Sequence, residues 1–310
     1  MILREMPDLP PRPLTPSNAA FRAHFYKCWG KENSIICGRS RFAEYAPHTQ
    51  SLSIKLAWGG AETYVVGKRR VSVDDDSYLI LNERQTYSSV LRGERDIDSF
   101  CVFFRPKMAD EVFSAMSASL TQAADDGTEP ALKKPAQFAE HLRPHDHIVT
   151  PVLSQLVQDV HQGLDDADAI EEALQDLLQR MIRTNHRMRE RERSIGAVKV
   201  STREELLKRI DLATDYICSH HATPITLDDI AAAATLSKFH LVRLFRQVHR
   251  MSPHQFLINR RLAAAKRLLY RRELNLDDVA VMAGFGTRWS LFRHLRRNAG
   301  AGGSAIRNVH

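Results

Sequence analysis

Thr226-Leu-Asp-Asp-Ile-Ala231 reappears further along the chain as Asn275-Leu-Asp-Asp-Val-Ala280. Each copy opens with a residue type that caps helix N-termini, and then places two acids in the first helical turn. Negative charge is stabilised there by the helix dipole. Alanines follow in both copies, and such small residues allow a second helix to cross closely. The repeat therefore predicts two copies of one helical hairpin.

Both copies continue through a short turn into a basic helix. The turns are Thr235-Leu-Ser237 and Gly284-Phe-Gly-Thr287, so the second is one residue longer. Each turn ends in a hydroxyl that can cap the next helix. The helices that follow, 238–246 and 288–296, align residue for residue. Helix, short turn and helix is typical of the helix-turn-helix motif, whose second helix enters the DNA major groove.

The outward positions of the two second helices agree in chemistry. Phe239 and Arg243 are four residues apart and share one helix face, as do Trp289 and Arg293. Aromatic rings can touch thymine methyl groups, and arginine can bind guanine with two hydrogen bonds. The eight outward candidates for DNA binding are Lys238, Phe239, Arg243, Arg246, Arg288, Trp289, Arg293 and Arg296. In the alternative interpretation, the hairpins pack on themselves with both aromatic rings in a core.

The excess of positive charge lies in the same part of the chain. The 310 residues carry a net charge of +7. Residues 201–310 hold 18 Lys and Arg against 9 Asp and Glu, whereas residues 1–200 hold 26 against 28. This asymmetry indicates a polyanion-binding module joined to a near-neutral domain. We predict a sensory and dimerisation domain over 1–195 and a DNA-binding domain over 196–310, with helix-turn-helix units at about 226–250 and 275–298.

The first part of the chain has two different periodicities. From about Ser51 to Phe104, short alternating segments are separated by glycine and aspartate turns, which favours an antiparallel barrel or sandwich. After Pro106 the pattern becomes helical, and two amphipathic stripes joined near Gly163 predict a helical hairpin. We expect a homodimer through the second stripe, or else packing of that stripe on its own sheet. Its residues are Ile170, Leu174, Leu177, Leu178 and Met181.

Residues 202–307 resemble the DNA-binding domain of the AraC/XylS family of bacterial transcription regulators. The matching positions span both units and the helix expected between them at 253–270. They are Ile230-Ala231, Leu236-Ser237, His240-Leu241, Arg243-Leu244-Phe245, Ser252-Pro253, Gln255-Phe256, Arg261-Leu262, Ala265, Leu268-Leu269, Val279-Ala280, Gly284-Phe285 and Arg293. The resemblance implies two reading helices in successive major grooves on one DNA face. It adds Val242 and Phe292 to the reading faces, and RNA polymerase to the expected partners.

Three positions depart from the family pattern. Arg250 stands where a glycine usually ends the first reading helix, and Trp289 stands where the second usually has a serine. Gly302-Gly303 replaces a Ser-Pro pair, and glycine loses more backbone entropy on ordering. We therefore expect residues beyond about Gly300 to be mobile and to add little affinity. We also expect the first unit to contribute more base specificity than the second.

The N-terminal half resembles the cupin-type sensory domain found in a subset of the same family. The resemblance rests on Trp58–Tyr64, Tyr78–Tyr87 and Ser99–Phe104. The expected fold class is α+β with two domains. The N-terminal domain would be a cupin-like antiparallel β-barrel with a helical hairpin, and the C-terminal domain an all-α double helix-turn-helix.

The barrel is expected to bind a small-molecule effector. An interior lined by Tyr64, Tyr78 and Tyr87, or by Lys55 and Arg84, would suit an aromatic or acidic molecule. The alternative is a regulator controlled by a partner protein or by its own abundance. A metabolite that binds the folded state would raise the melting temperature, and this would distinguish control by a small molecule from control by a partner or by abundance.

Catalytic chemistry is not indicated by any group of residues. Cupins that bind metals use a His-x-His pair on the barrel strands, but residues 51–104 contain no histidine. His145-Asp-His147, with His141 nearby, is interpreted as solvent-exposed loop histidines. The four cysteines are scattered without a CxxC pair. We expect no catalytic residue, no metal and no cofactor.

The predicted location is the cytoplasm. The first residues, Met-Ile-Leu-Arg-Glu-Met-Pro, lack the apolar region of a signal peptide. No apolar run approaches the roughly 18 residues that a membrane helix needs.

Overall fold

The computed structural model describes residues 1–4, 27, 30–123, 137–139, 141–193, 200–270 and 274–299. The chain divides into two compact units, Met1–Arg193 and Ser194–His310. The first is built around a sheet and the second consists of helices. The predicted combination of a sheet-rich N-terminal domain and a helical C-terminal domain is therefore confirmed.

Eight strands form the sheet of the N-terminal unit. They are β1 (Ile2–Leu3), β2 (Ser34–Thr49), β3 (Ser53–Trp58), β4 (Glu62–Val66), β5 (Arg69–Val73), β6 (Ser77–Leu81), β7 (Thr86–Phe103) and β8 (Leu142–Pro144). The order is β1-β2-β7-β3-β6-β8, with β4 pairing with both β7 and β5. All pairs are antiparallel except β1 with β2, which run parallel. Among the described strands no ladder closes the sheet, so a barrel stays a prediction.

Side chains on β3 and β7 alternate between two faces of the sheet. Ile54 pairs with Val102, whereas the next residue, Lys55, pairs with Cys101. Ile54 and Val102 belong to the main apolar cluster, which also contains the helices of this unit. Because successive strand residues point to opposite faces, Lys55 and Cys101 lie on the other face, together with Phe103.

Among the described residues of the N-terminal unit, three further elements are helices: α1 (Met108–Ala123), α2 (Thr150–His161) and α3 (Ala167–Arg193). The last two form the predicted hairpin around Gly163, whose φ of +101° suits the turn. Leu153, Leu156 and Val160 of α2 lie in the same apolar cluster as the stripe on α3. The hairpin therefore covers one face of its own sheet.

The predicted use of the α3 stripe as a homodimer interface is wrong. Its members, Ile170 to Met181, are between 0% and 5% exposed within the single chain. They pack with Ile54, Phe100 and the neighbouring residues of the sheet. Burial against the sheet already removes this apolar area from water, so none is left for a second copy. The homodimer itself stays a prediction, and its interface would lie elsewhere.

The C-terminal unit contains six helices among its described residues. They are α4 (Val200–His220), α5 (Leu227–Ala233), α6 (Lys238–His249), α7 (Pro253–Tyr270), α8 (Leu276–Met282) and α9 (Arg288–Ala299). α5 with α6 and α8 with α9 are the two repeated hairpins, and α7 joins them over the range that the sequence predicted. The two hairpins are thus two copies of the helix-turn-helix arrangement.

The cap residues begin these helices as the sequence predicted. Thr226 forms a capping box: its hydroxyl accepts from the Asp229 amide at 3.2 Å, and the Asp229 carboxylate accepts from the Thr226 amide at 2.8 Å. Asn275 accepts from the Asp278 amide at 2.8 Å. Ser237 and Thr287 cap the two second helices in the same way, at 3.4 and 3.3 Å. These bonds satisfy amides that a helix start leaves without a partner.

No helix in the described parts of the chain combines the length and apolar character needed to cross a membrane.

Candidate DNA-binding surface

The inward residues of α6 fix the orientation of its outer face. Leu241, Leu244, Phe245 and Val248 are buried, at the three- and four-residue spacing of one helix side. The opposite side therefore faces solvent, and the Phe239 ring on it is 75% exposed. Four of the five candidates on α6 are exposed and Val242 is half-buried; the exposed four are Lys238, Phe239, Arg243 and Arg246.

α9 presents the same surface in the second unit. Leu291 and Leu295 are buried against α7 and α8, in the positions that Leu241 and Phe245 hold in the first unit. Trp289 is 75% exposed, as Phe239 is, and Phe292 is half-buried. Arg288, Arg293 and Arg296 are exposed on the same helix. The alternative that both aromatic rings lie in a core is therefore wrong.

The cations of the two surfaces have different surroundings. Lys238 Nζ lies 3.0 Å from an Asp228 oxygen, and an Arg288 nitrogen lies 3.8 Å from an Asp277 oxygen. The guanidinium of Arg288 also lies 5.8 Å from the centre of the Trp289 ring. Within the described residues, the other four arginines of these faces have no ion pair; they are Arg243, Arg246, Arg293 and Arg296. Those four present full positive charge to a polyanion.

The turns of the two units have equivalent backbones built from different residues. Thr235 has a φ of +53° and Gly284, at the same place in the second unit, a φ of +82°. In each turn the following amide donates to the carbonyl of the fifth residue of the first helix, Leu236 to Ala231 at 2.9 Å and Phe285 to Ala280 at 2.8 Å. The left-handed conformation is costly for a β-branched residue, so the first turn stores strain that the second does not.

Arg250 adopts a left-handed backbone conformation, and the AraC/XylS family usually has a glycine at this position. Its φ is +60°, and its amide donates to the Arg246 carbonyl at 3.0 Å, which ends α6. The helix therefore ends as it would with glycine, but with a side chain that disfavours this backbone. The third departure, Gly302-Gly303, and the predicted mobility beyond Gly300 lie outside the described residues.

Arg261 on α7 ties the second turn to the end of α4. Its Nε donates to the His221 carbonyl at 2.7 Å, and its Nη2 donates to the Thr223 carbonyl at 2.8 Å. Gly284 packs against the same place: a Cβ there would lie 2.5 Å from the His221 carbonyl oxygen. The resemblance included Arg261 and Gly284, but it did not predict that both contact the residues that follow α4, within the C-terminal unit. These contacts fix where the second hairpin sits relative to α4.

The face of the sheet opposite the helices carries buried polar groups. Lys55 is 2% exposed; its ammonium donates to the Tyr87 hydroxyl at 3.0 Å and lies 3.8 Å from the centre of the Phe103 ring. Glu62, also buried, accepts from the Ser99 hydroxyl at 2.8 Å. Tyr64 lies beside Tyr87, with ring centres 6.1 Å apart. These six residues are named the Lys55 cluster, and Cys101 lies next to them, with its sulfur 4.0 Å from the Tyr64 hydroxyl.

Burial governs the protonation of the Lys55 cluster. It raises the pKa of the Tyr64 and Tyr87 hydroxyls and of the Cys101 thiol. Burial by itself lowers the pKa of Lys55, but the acidic groups around it, Cys101 first, outweigh burial and leave that pKa raised.

Two other residues considered for this interior lie elsewhere. The Tyr78 ring belongs to the apolar cluster on the helix side, and its hydroxyl donates to Asp146 at 2.9 Å. Arg84 is exposed in a turn with a φ of +66°. Of the five residues that the sequence offered as a lining, Lys55, Tyr64 and Tyr87 are the three that come together.

The histidines of residues 141–147 serve the local structure. Asp146 accepts from the amides of Ile148 and Val149 at 2.7 and 2.6 Å and so begins α2. His145 lies 3.2 Å from the Thr150 hydroxyl. His141 is 3% exposed and His145 is half-buried, so the interpretation of all three as solvent-exposed loop histidines is wrong for His141 and holds fully only for His147.

Comparison with known proteins agrees with this geometry. A family model described as a helix-turn-helix domain matches residues 230–308. The probable transcriptional regulator LumQ of Photobacterium leiognathi is 29% identical over 96 residues, which are 30% of this chain and 39% of LumQ. The HTH-type transcriptional regulator YbfI of Bacillus subtilis (strain 168) is 23% identical over 229 residues, 71% of this chain and 73% of YbfI. The chain thus spans well under half of LumQ and about three quarters of YbfI.

Among solved structures, ToxT from Vibrio cholerae strain SCE256 is similar at 11% identity and a TM-score of 0.34, covering 87% of this chain and 92% of ToxT. The two hairpins of the C-terminal unit and the family match agree on a helix-turn-helix domain. The chain is therefore similar to transcriptional regulators of the HTH type, and the helix-turn-helix match falls on residues 230–308.

Proposed function

We propose that the chain regulates transcription by placing α6 and α9 in two successive major grooves on one face of a DNA duplex. The observation that carries the proposal is the duplicated surface, in which an exposed aromatic ring and an exposed arginine share one helix face in each unit. A solvated surface without a partner has no need of two exposed rings at equivalent places. Residues 196–310 form the DNA-binding domain in this proposal.

Different residues on each helix take different roles in the proposal. Arg243 and Arg293 bind base edges in the groove, where bidentate hydrogen bonds distinguish guanine from the other bases. Phe239 and Trp289 contact thymine methyl groups beside them. Arg246 and Arg296, one turn further along, bind phosphates and carry affinity that does not depend on sequence. Four further residues belong to the two reading faces: Lys238, Val242, Arg288 and Phe292.

The proposal assigns sensing to residues 1–195, a cupin-like domain that binds a small-molecule effector and forms a homodimer. The Lys55 cluster supports the binding of an effector. Burying the charged groups of Lys55 and Glu62 costs free energy, so stability alone does not explain their presence in the core. An acidic or aromatic molecule suits the ammonium and the two phenols. The protein acts without catalysis, in the cytoplasm with DNA and RNA polymerase. Control by a partner protein remains the alternative.

Selection of DNA from a random pool tests the function. The full chain should enrich duplexes that share two short conserved blocks, with centres about 10 base pairs apart, since successive major grooves on one face repeat once per helical turn. Sequencing the bound fraction over several rounds gives the blocks and their spacing. A pool that stays random after selection, while binding weakens steeply with salt, would leave only non-specific phosphate binding and reject the proposal.

A further inference from the structure

The first cation of each reading helix is paired with an acid from the preceding helix. Asp228 reaches Lys238 Nζ with both oxygens, at 3.0 and 3.3 Å. Asp277 reaches Arg288 at 3.8 Å. The two acids hold the same place in the repeat, and so do the two cations. The contact therefore occurs in both copies of the repeat, with lysine as the cation in the first copy and arginine in the second.

The helix dipole favours an acid at Asp228, but it does not require the contact that Asp228 makes with Lys238. Asp229 accepts from both the amide and the hydroxyl of Thr226, at 2.8 and 2.7 Å, and is thereby committed to the start of α5. Asp228 makes no capping bond in the described part of the chain, and its side chain is 72% exposed. An exposed ion pair adds little to stability, because water and salt screen the two charges. The ion pair between Asp228 and the reading helix therefore calls for an explanation other than stability.

A carboxylate at this place acts differently in the two ways of binding DNA. In non-specific complexes, affinity comes from cations that bind phosphates and release counterions. A cation that already has a carboxylate beside it contributes less, and the carboxylate repels the phosphates. In the specific complex the N-terminal end of the reading helix faces base edges, so this penalty falls mainly on non-specific binding.

We propose that Asp228 and Asp277 are specificity-determining residues that restrain Lys238 and Arg288 from the phosphates of unrelated DNA. The inference rests on the proposed function, because it needs a chain that distinguishes a preferred sequence. Asp228 has the stronger effect of the two, since its pair is closer and involves both oxygens. Neither acid is a DNA ligand; each acts by holding the cation beside it.

The test compares three single variants of the full chain: Asp228→Asn, Asp277→Asn and Asp176→Asn. Each removes one negative charge from an exposed ion pair. Asp176 is the matched control, because it pairs with Arg180 at 3.0 Å on α3 in the N-terminal unit. Dissociation constants are measured for a random-sequence duplex and for a selected duplex at several salt concentrations.

We expect Asp228→Asn to bind the random duplex about three- to tenfold more tightly at low salt, with the log–log salt slope steeper by about 1, the value of one added phosphate contact. Binding to the selected duplex should rise less, so the ratio of the two affinities falls. Asp277→Asn should change in the same direction by less, and Asp176→Asn should match the wild type. An unchanged ratio and slope in Asp228→Asn, or an equal change in the control, would overturn the inference. Failure of the proposed function is separate, since the wild type would then show no preference at all.

Discussion

Gly284→Ala is expected to lower the unfolding free energy of the C-terminal unit by about 2–5 kcal/mol. A residue with a side chain at the φ of +82° loses roughly 1–2 kcal/mol from backbone strain alone. The new Cβ would also lie 2.5 Å from the His221 carbonyl oxygen and 2.9 Å from Arg261 Nε. Relieving such overpacking costs typically about 1–3 kcal/mol. The Arg261 bonds to His221 and Thr223 would have to lengthen to make room.

Gly286→Ala is the matched control, two residues further along the same turn. Gly286 also has a positive φ, +73°, but a Cβ there meets nothing within 4 Å. Only the backbone effect applies, so the loss should be about 1 kcal/mol. Denaturant unfolding of the two variants and the wild type gives both values. Equal losses would mean that the joint between Gly284 and His221 does not hold the second unit in place.

Arg243→Ala should weaken binding to the selected DNA by about 1–3 kcal/mol and relax the preference at one base position. Arg293→Ala, its counterpart on α9, should cost less. The reason is that Trp289 occupies a place where the family has a small serine, and the bulky ring limits how closely α9 can fit the bases. Both variants are titrated against the same duplex at one salt concentration. A larger loss from Arg293→Ala would show that the second unit leads and that the ranking is wrong.

Arg246→Ala separates base readout from phosphate binding on the same helix. If Arg246 binds phosphate, its loss weakens binding to all sequences alike and makes the salt slope shallower by about 1. Arg243→Ala should instead reduce the difference between selected and random DNA. Identical behaviour of the two variants would remove the division of roles along α6.

The repeated hairpins could be predicted from the sequence because every signal for them is local. Caps, first-turn acids, small crossing residues and the three- and four-residue spacing of Leu241 and Phe245 lie within one short stretch. The same local signals gave the helical hairpin of the N-terminal unit. Strand β2 was missed, since exposed Arg41 and Phe42 interrupt its alternation and a bulge follows Ser40. β8 was missed because three residues are too few to show a period.

Non-local pairing decided the remaining features. The apolar stripe on α3 has the same periodicity whether the sheet or a second copy of the chain covers it. The sequence therefore could not show which of the two it packs against. The interior position of Lys55 depends on its register opposite Cys101. The Asp228 contact joins two helices across a turn. The repeated acids at Asp228 and Asp277 were visible in the sequence, but they had a sufficient local explanation in the helix dipole.

The most direct test of the central claim is a hydroxyl-radical footprint of the full chain on the selected duplex. Two reading helices in successive major grooves should protect two patches on one face of the DNA, with centres about 10 base pairs apart, which is one helical turn. Arg293→Ala should fade the patch of the second unit and leave the first. A single protected patch, or two patches on opposite faces of the duplex, would contradict the account.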